Sequence, residues 1–275
     1  MIRFPNCKIN LGLEIKAKRA DGFHDLETVF YPLGIRDVLE IIPANKEQAE
    51  SVQYAGSGIV VEGSSDQNLC VKAYRLIKKD YPRIPSIQLH LHKTIPTGAG
   101  LGGGSADAAV TLQLINEMFN LNLSGEQLAS YAIFLGSDCP FFLVNEPAVA
   151  SGRGEQLEKI SLNLSGYNIL LVYPGIHINT GWAFSQLKLK LAIGGDSLAA
   201  KINRPVSTWK DNLFNEFEAP VFLAHPEVRN IKHIMYEEGA MYASMSGSGS
   251  SVYGIFEKDR VPGYKFPAHY FCKMV

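Results

Sequence analysis

The run PTGAGLGGGSADAA, Pro96 to Ala109, carries five glycines and then passes directly into small helix-forming residues. Glycine loses more backbone freedom on folding than any other residue, about 0.5–1 kcal/mol relative to Ala within a regular element, so so dense a run needs a physical reason. A flexible linker would have polar, structureless flanks. The flanks here are patterned instead. Upstream, SIQLHLHKTI alternates Ile87, Leu89 and Leu91 with Gln88, His90 and His92, the period of a half-buried strand. Downstream, Ala108, Thr111, Leu112, Ile115, Met118 and Phe119 recur at helical spacing, with Ser105 near the start. Strand, glycine loop, helix is an order that turns unpaired N–H groups and the positive end of a helix dipole toward a loop without Cβ atoms, which suits a phosphate.

The rest of the chain bounds this reading. With 275 residues and 46% hydrophobic content, it is long enough for one large or two ordinary domains around a sizeable core. A formal net charge of -1 with no block of like charges argues against a nucleic-acid partner, so an anion site has to be local. Cys7, Cys70, Cys139 and Cys272 are scattered without a C-x-x-C pair and read as reduced thiols. MIRFPNCKINLGLEIK has no apolar segment behind a basic start, and nowhere do about 18 apolar residues run together, so a cytoplasmic protein without a membrane partner is expected. Oligomeric state is left open.

Along the chain, KINLGLEIK places Ile9, Leu11, Leu13 and Ile15 on one strand face and Lys8, Asn10, Gly12 and Glu14 on the other, so Lys8 and Asn10 point the same way. DGFHDLE reads as a turn, VLEII as a strand, and Asn45 to Ser51 as a polar loop. Leu69, Ala73, Leu76 and Ile77 mark an amphipathic helix between Asn68 and Tyr81, closed by Pro82. Another helix opens with Ser124 and Gln127 as a capping box, carries Leu128, Tyr131, Ala132 and Leu135, and stops at Gly136; Asp138 then lies just past a helix end, pinned by Pro140. SGRGEQLEKISLNLS is polar and turn-rich, and NILLVYP begins a buried strand. Further on, Val228, Ile231, Ile234 and Met235 mark a helix ended by Gly239, followed by two short strands around a second small-residue loop, Ser246 to Ser251. Strands and helices mix without regular βαβ alternation, so the expected class is α+β, with a boundary near residue 160 separating domains 1–160 and 161–275.

Gly98, Gly100 and Gly103 satisfy G-x-G-x-x-G, but the dinucleotide fingerprint needs a second parallel strand ending in an acidic residue about 20 residues on. Here that distance falls within or between helices, at Glu117 and Glu126. The P-loop lysine is absent. PTGAGLGGGSADAA instead resembles the nucleotide loop of the galactokinase, homoserine kinase, mevalonate kinase and phosphomevalonate kinase (GHMP) superfamily. SMSGSGSSVYGIF resembles its C-terminal glycine motif and FPNCKINLGLEI its N-terminal substrate motif, three motifs in family order over nearly the whole chain. KINLGLEI, RADGFHDLETVF, LGSDCPFFL and SGRGE together are similar to the branch that uses ATP to phosphorylate a hydroxyl of a cytidine-linked sugar alcohol in the non-mevalonate route to isoprenoid precursors. Phe23 stands where the DGYH form of the motif has tyrosine, which keeps a stacking face and loses a hydroxyl.

The resemblance implies a GHMP-kinase-like two-domain fold with the nucleotide site between or at the edge of the domains, an N-terminal ATP-binding domain and a C-terminal domain. Phosphoryl transfer asks a protein mainly for positioning and charge neutralisation. On that basis Pro96, Gly98, Ala99, Gly100, Leu101, Gly102, Gly103, Gly104 and Ser105 bind the ATP phosphates, with the Ser105 hydroxyl near Mg2+. Asp138 accepts the proton of the attacking hydroxyl, and Lys8 beside it keeps it ionised and neutralises the moving charge. Asn10 orients the substrate or Lys8; His24 reads the cytosine edge and Phe23 stacks on its face, with Phe184 and Tyr173 as weaker stacking candidates. Gly247, Ser248 and Gly249 form a second backbone wall. The residues alone leave other readings open: Lys8 as a solvated lysine, Asp138 as a turn residue, and the second glycine loop as a ligand-free hairpin. His90 and His92 read as a solvated strand face rather than the start of a metal site, and Arg153 and Glu155 are given no catalytic role. Competing functions are a homoserine- or mevalonate-type kinase of the same superfamily, a non-catalytic sensor with its fold, and a nicotinamide oxidoreductase.

Overall fold

In a computed structural model, residues 1–44, 52–187 and 196–275 are described. In chain order they form β1 (Ile2–Arg3), β2 (Asn6–Lys18), β3 (His24–Arg36), β4 (Val38–Pro43), β5 (Val52–Gly58), α1 (Leu69–Asp80), β6 (Ile87–Lys93), α2 (Gly103–Met118), α3 (Gly125–Leu135), α4 (Cys139–Val144), β7 (Ala148–Ser151), β8 (Gln156–Lys159), β9 (Tyr167–Tyr173), α5 (Thr180–Ser185), α6 (Leu198–Ile202), α7 (Trp209–Asn212), α8 (Glu218–Ala224), α9 (Pro226–Glu237), β10 (Tyr242–Met245), β11 (Val252–Glu257) and β12 (Phe271–Met274). The class is α+β. The polar loop expected around Asn45 to Ser51 lies outside the described residues. Among those described, no helix is long and apolar enough to cross a membrane.

By internal contacts the chain divides into two compact units: Met1–Cys7, Gly34–Thr97 and Gly102–Asn145 form one, and Lys8–Leu33, Gly98–Leu101 and Glu146–Val275 form the other. The first unit contains a sheet of order β1-β4-β6-β5. Strand β6 runs antiparallel to β4, from Val38 opposite His92 to Pro43 opposite Ile87, and parallel to β5, whose crossover to β6 is supplied by α1. Ile87, Leu89 and Leu91 point into the core, where Tyr74 and Ile77 of α1 and Leu112 and Ile115 of α2 cover them. Each such side chain contributes about 1.5–3 kcal/mol when fully buried. Asn68 caps α1 by accepting from the Cys70 amide at 2.9 Å, and Ser124 with Gln127 forms the reciprocal capping box of α3. Lys93, Asp37 and Asp107 are buried together here; burial foremost pushes the Asp107 carboxyl up to about 7, against the opposing pull of Lys93. Strand β5 carries no alternation in VQYAGSG, and only pairing with β6 gives it strand structure.

The second unit holds an antiparallel sheet of order β10-β11-β9-β12, covered by the Val228, Ile231 and Met235 stripe of α9. Another sheet has the order β2-β3-β7-β8. Two readings need correction here. In β2, Cys7 through Leu13 are all buried, so the face expected to be polar is covered as well. The polar segment after Ser151 contains β8, which pairs with β7 and stays mostly exposed as an edge. Cys7, Cys70 and Cys139 are buried outside any disulfide, while Cys272 is exposed.

Candidate active site

In the second unit the two glycine loops meet. Gly100 has φ +78°, and a Cβ added there would lie 2.0 Å from the Ser246 carbonyl oxygen, so only glycine allows this approach. Ser246 Oγ donates to Gly100 O at 2.8 Å, and the Ser251 amide donates to Ala99 O at 3.2 Å. The backbone of Gly247 lies beside Asn10, with 3.3 Å between an added Cβ and Asn10 Oδ1, and Ser248 Oγ is 3.1 Å from Thr180 Oγ1. The loop Ser246 to Ser251 is therefore packed against the glycines rather than turning freely. At Gly98 an added Cβ would approach the exposed His177 ring at 2.5 Å. His177 follows β9, where no local pattern marked it as a neighbour of the phosphate-loop sequence.

Lys8 and Asn10 enter this unit along β2, and both are only 3% exposed. Lys8 Nζ donates to Asn10 Oδ1 at 2.6 Å and to Gly100 O at 3.4 Å, and it lies 4.7 Å from the centre of the Phe30 ring. Asn10 Nδ2 donates to Thr28 Oγ1 at 3.0 Å, Thr28 in turn donates to Gly12 O at 2.5 Å, and Tyr253 donates to Asn10 O at 2.7 Å. A buried ammonium held by oriented oxygens is a fixed charge, not a solvated lysine. Thr28 and Tyr253 lie within the motifs RADGFHDLETVF and SMSGSGSSVYGIF, but nothing in the linear chain joins either side chain to Asn10.

Of the DGFHDLE segment expected as a turn, only Asp21–Phe23 turns, and His24 to Glu27 already belong to β3. Arg19 pairs with Asp21 at 3.1 Å and Asp25 at 3.0 Å, the Arg19 amide donates to Phe23 O at 2.8 Å, and the Phe23 amide donates to Asp21 Oδ1 at 3.1 Å. That amide bond is the first cause holding the Asp21 carboxyl below its ordinary value. Phe23 is half exposed, with the Arg153 guanidinium 4.6 Å from its ring centre. His24 stacks on Phe184 with ring centroids 4.8 Å apart at 16°, and Phe184 meets Phe217 edge-on at 4.9 Å. Burial first, then the charge of Lys18, lowers the His24 pKa, which favours a neutral ring that both donates and accepts. Tyr173 ends β9 opposite Phe271.

In the first unit, Gly102 takes a left-handed conformation and caps α2, whose first turn is Gly103, Gly104 and Ser105. The Ser105 side chain shares a hydrogen bond with Cys139, whose thiol burial pushes up to about 12. An added Cβ at Gly136 would lie 3.9 Å from Ser105 Oγ. Asp138 follows Gly136 as the N-cap of α4, with Pro140 in that helix's first turn, and is half-buried. Pro96, at the entry to the loop, is buried. On β6, His90 Nε2 and His92 Nδ1 lie 3.0 and 2.9 Å from the single Ser57 hydroxyl. No group of three or more His, Cys, Asp or Glu able to hold a metal occurs among the described residues.

The family model for the GHMP kinases N terminal domain matches residues 68–146, and that for the GHMP kinases C terminal matches residues 199–262. The chain is 49% identical to the 4-diphosphocytidyl-2-C-methyl-D-erythritol kinase of Bacteroides fragilis, covering 94% of this chain and 93% of that protein. It is 47% identical to the enzyme of the same name from Azobacteroides pseudotrichonymphae, covering 98% and 100%. A crystal structure of 4-(cytidine 5'-diphospho)-2C-methyl-D-erythritol kinase matches with a TM-score of 0.79 and 29% identity, over 93% of this chain and 90% of that one.

Proposed function

Since the chain belongs to the 4-diphosphocytidyl-2-C-methyl-D-erythritol kinase family within the GHMP kinases, we propose that it transfers the terminal phosphoryl group of ATP to a hydroxyl of 4-diphosphocytidyl-2-C-methyl-D-erythritol, in the non-mevalonate route to isoprenoid precursors. What carries this reading is that the likeness spans nearly the whole of both chains and so includes DGFH and its surroundings, not the nucleotide loop alone. In this reading the segments 1–160 and 161–275 are the family's N- and C-terminal domains, and the two family matches fall on either side of residue 160.

The acceptor hydroxyl gives its proton to the Asp138 carboxylate as its oxygen forms the new bond to phosphorus; the bond to the bridging oxygen breaks, and ADP leaves. Backbone amides of Gly98 to Ser105 cradle the phosphates, with Pro96 at the entry to the loop, supported by Gly247, Ser248 and Gly249. Lys8 neutralises charge developing on the moving group, and the 2.6 Å bond to Asn10 fixes its direction. His24 reads the cytosine edge, Phe184 backs its ring, and Phe23 offers a stacking face. Mg2+ suits a donor set of one hydroxyl, Ser105, because this ion takes most of its ligands from phosphate and water; when bound it supplies charge neutralisation on the phosphates. A cytoplasmic setting, with a cytidine-linked small molecule and neither nucleic acid nor a membrane as partner, belongs to the same reading.

A coupled assay of ADP release tests it. Turnover with the cytidine-linked acceptor and none with homoserine or mevalonate is the expected result. Preference for either rival would reassign the acceptor, and tight binding of ATP and ligand without ADP release would make the protein a sensor.

A further inference from the structure

Three charged side chains, none more than 3% exposed, take no part in the chemistry above: Asp37 between β3 and β4, Lys93 at the end of β6, and Asp107 in α2. Asp37 Oδ1 accepts the backbone amides of Thr94 at 2.6 Å and Ile95 at 2.9 Å, and its Oδ2 accepts from Lys93 Nζ. Lys93 Nζ also donates to Asp107 Oδ2 at 2.8 Å, while Asp107 Oδ1 has no hydrogen-bond partner. The first residue of α2 lies against this cluster. A Cβ added at Gly103 would lie 3.3 Å from Lys93 Nζ and 2.9 Å from Ile95 Cγ2.

Burying two carboxyl groups and one ammonium, with one oxygen left unpaired, is often no more stabilising than filling the same volume with apolar residues. Stability therefore does not account for the cluster, but its connections do. Asp37 pins Lys93, Thr94 and Ile95, the stem entering the glycine loop; Asp107 belongs to the helix leaving it; a single ammonium joins the two. Glycine-rich backbone between those stems has many conformations to lose when it closes on a phosphate, and fixing the stems beforehand removes part of that loss.

We propose that Lys93, bridging Asp37 to Asp107, is the positioning residue of the triphosphate loop: it sets the first turn of α2, with Ser105, against the Lys93–Ile95 stem so that the amides are aligned before nucleotide arrives. The proposal rests on the ATP-dependent reading. It assigns these residues to nucleotide affinity and leaves acceptor recognition to others.

Equilibrium binding of a fluorescent, non-hydrolysable ATP analogue and of the cytidine-linked acceptor, measured separately on the full chain, tests it. Asp107→Ala severs the bridge and leaves Lys93 and Asp37 as a neutral pair, and Asp107→Leu does the same while filling the space. Each is expected to weaken analogue binding at least tenfold with acceptor affinity within twofold, and Asp107→Asn, which keeps an oxygen facing Lys93, to restore analogue binding to within threefold of wild type. Folded Ala or Leu variants with analogue affinity within twofold of wild type, an equal loss for both ligands, or failure of both variants to fold would overturn the proposal. Wild-type protein that binds the analogue but releases no ADP with the acceptor would instead sink the functional reading, leaving the comparison of affinities to judge this one.

Discussion

Asp138 carries the sharpest expectation at the scale of single residues. Asp138→Asn keeps the shape of the side chain and removes its basicity, so kcat should fall by about 10²–10⁴-fold while KM for ATP stays within about threefold, since a general base acts only in the chemical step. Steady-state kinetics decide it, and near wild-type kcat would remove Asp138 from that role. Glu14 gives a pH-dependent counterpart. Burial alone would raise its pKa, but hydrogen bonds and charge from Lys16 and Lys201 outweigh that and hold the carboxyl below its ordinary value. A depressed acid stabilises the fold above its unfolded pKa and loses that contribution as pH falls through its folded value. Thermal unfolding followed downward from about pH 5 should therefore show a shallower loss of stability in Glu14→Gln than in wild type. An identical slope would show that the pairs with Lys16 and Lys201 contribute nothing to acid sensitivity.

Among the elements, the glycine loop is the most constrained. Gly100→Ala would place a methyl group 2.0 Å from the Ser246 carbonyl oxygen at a φ of +78°, so one of the two loops has to move. The expected outcome is loss of ATP-analogue binding by at least about tenfold in a chain that still folds, with a cost of order 1–3 kcal/mol for the strained backbone. Calorimetry beside a binding titration would check both, and unchanged binding would mean that the two loops need not touch. Much at this scale was legible beforehand. The stripes of α1 and α9, the alternation of β6, the Ser124 cap and the hairpin around Ser246 to Ser251 all follow from periods and turn residues that act over a few positions. Strands β5 and β8 were not, because one lacks alternation and the other is polar, and each is held by its neighbour in the sheet.

For the molecule as a whole, nucleotide binding and folding are linked. An ATP analogue present at a hundred times its dissociation constant should raise unfolding free energy by about 2.7 kcal/mol, because only the folded chain presents the aligned amides. Urea unfolding with and without the analogue measures this, and a midpoint that does not move would refute a preformed phosphate site. The pairing of Lys8 with Asn10 was legible in the strand period, but their burial was invisible in the linear chain, as were Phe184 under His24, His177 beside Gly98, and Lys93 between Asp37 and Asp107. By itself the sequence determined the α+β class, the strand, loop and helix that surround the glycines, and the order of the motifs, since periodicity, capping and turn chemistry are interactions among residues already adjacent along one axis. Which charges are buried, and which oxygens hold them, was decided only by the tertiary structure. That outcome depends on the distant segments that cover a side chain, and the residue types at its own position are the same whether it is covered or left in water.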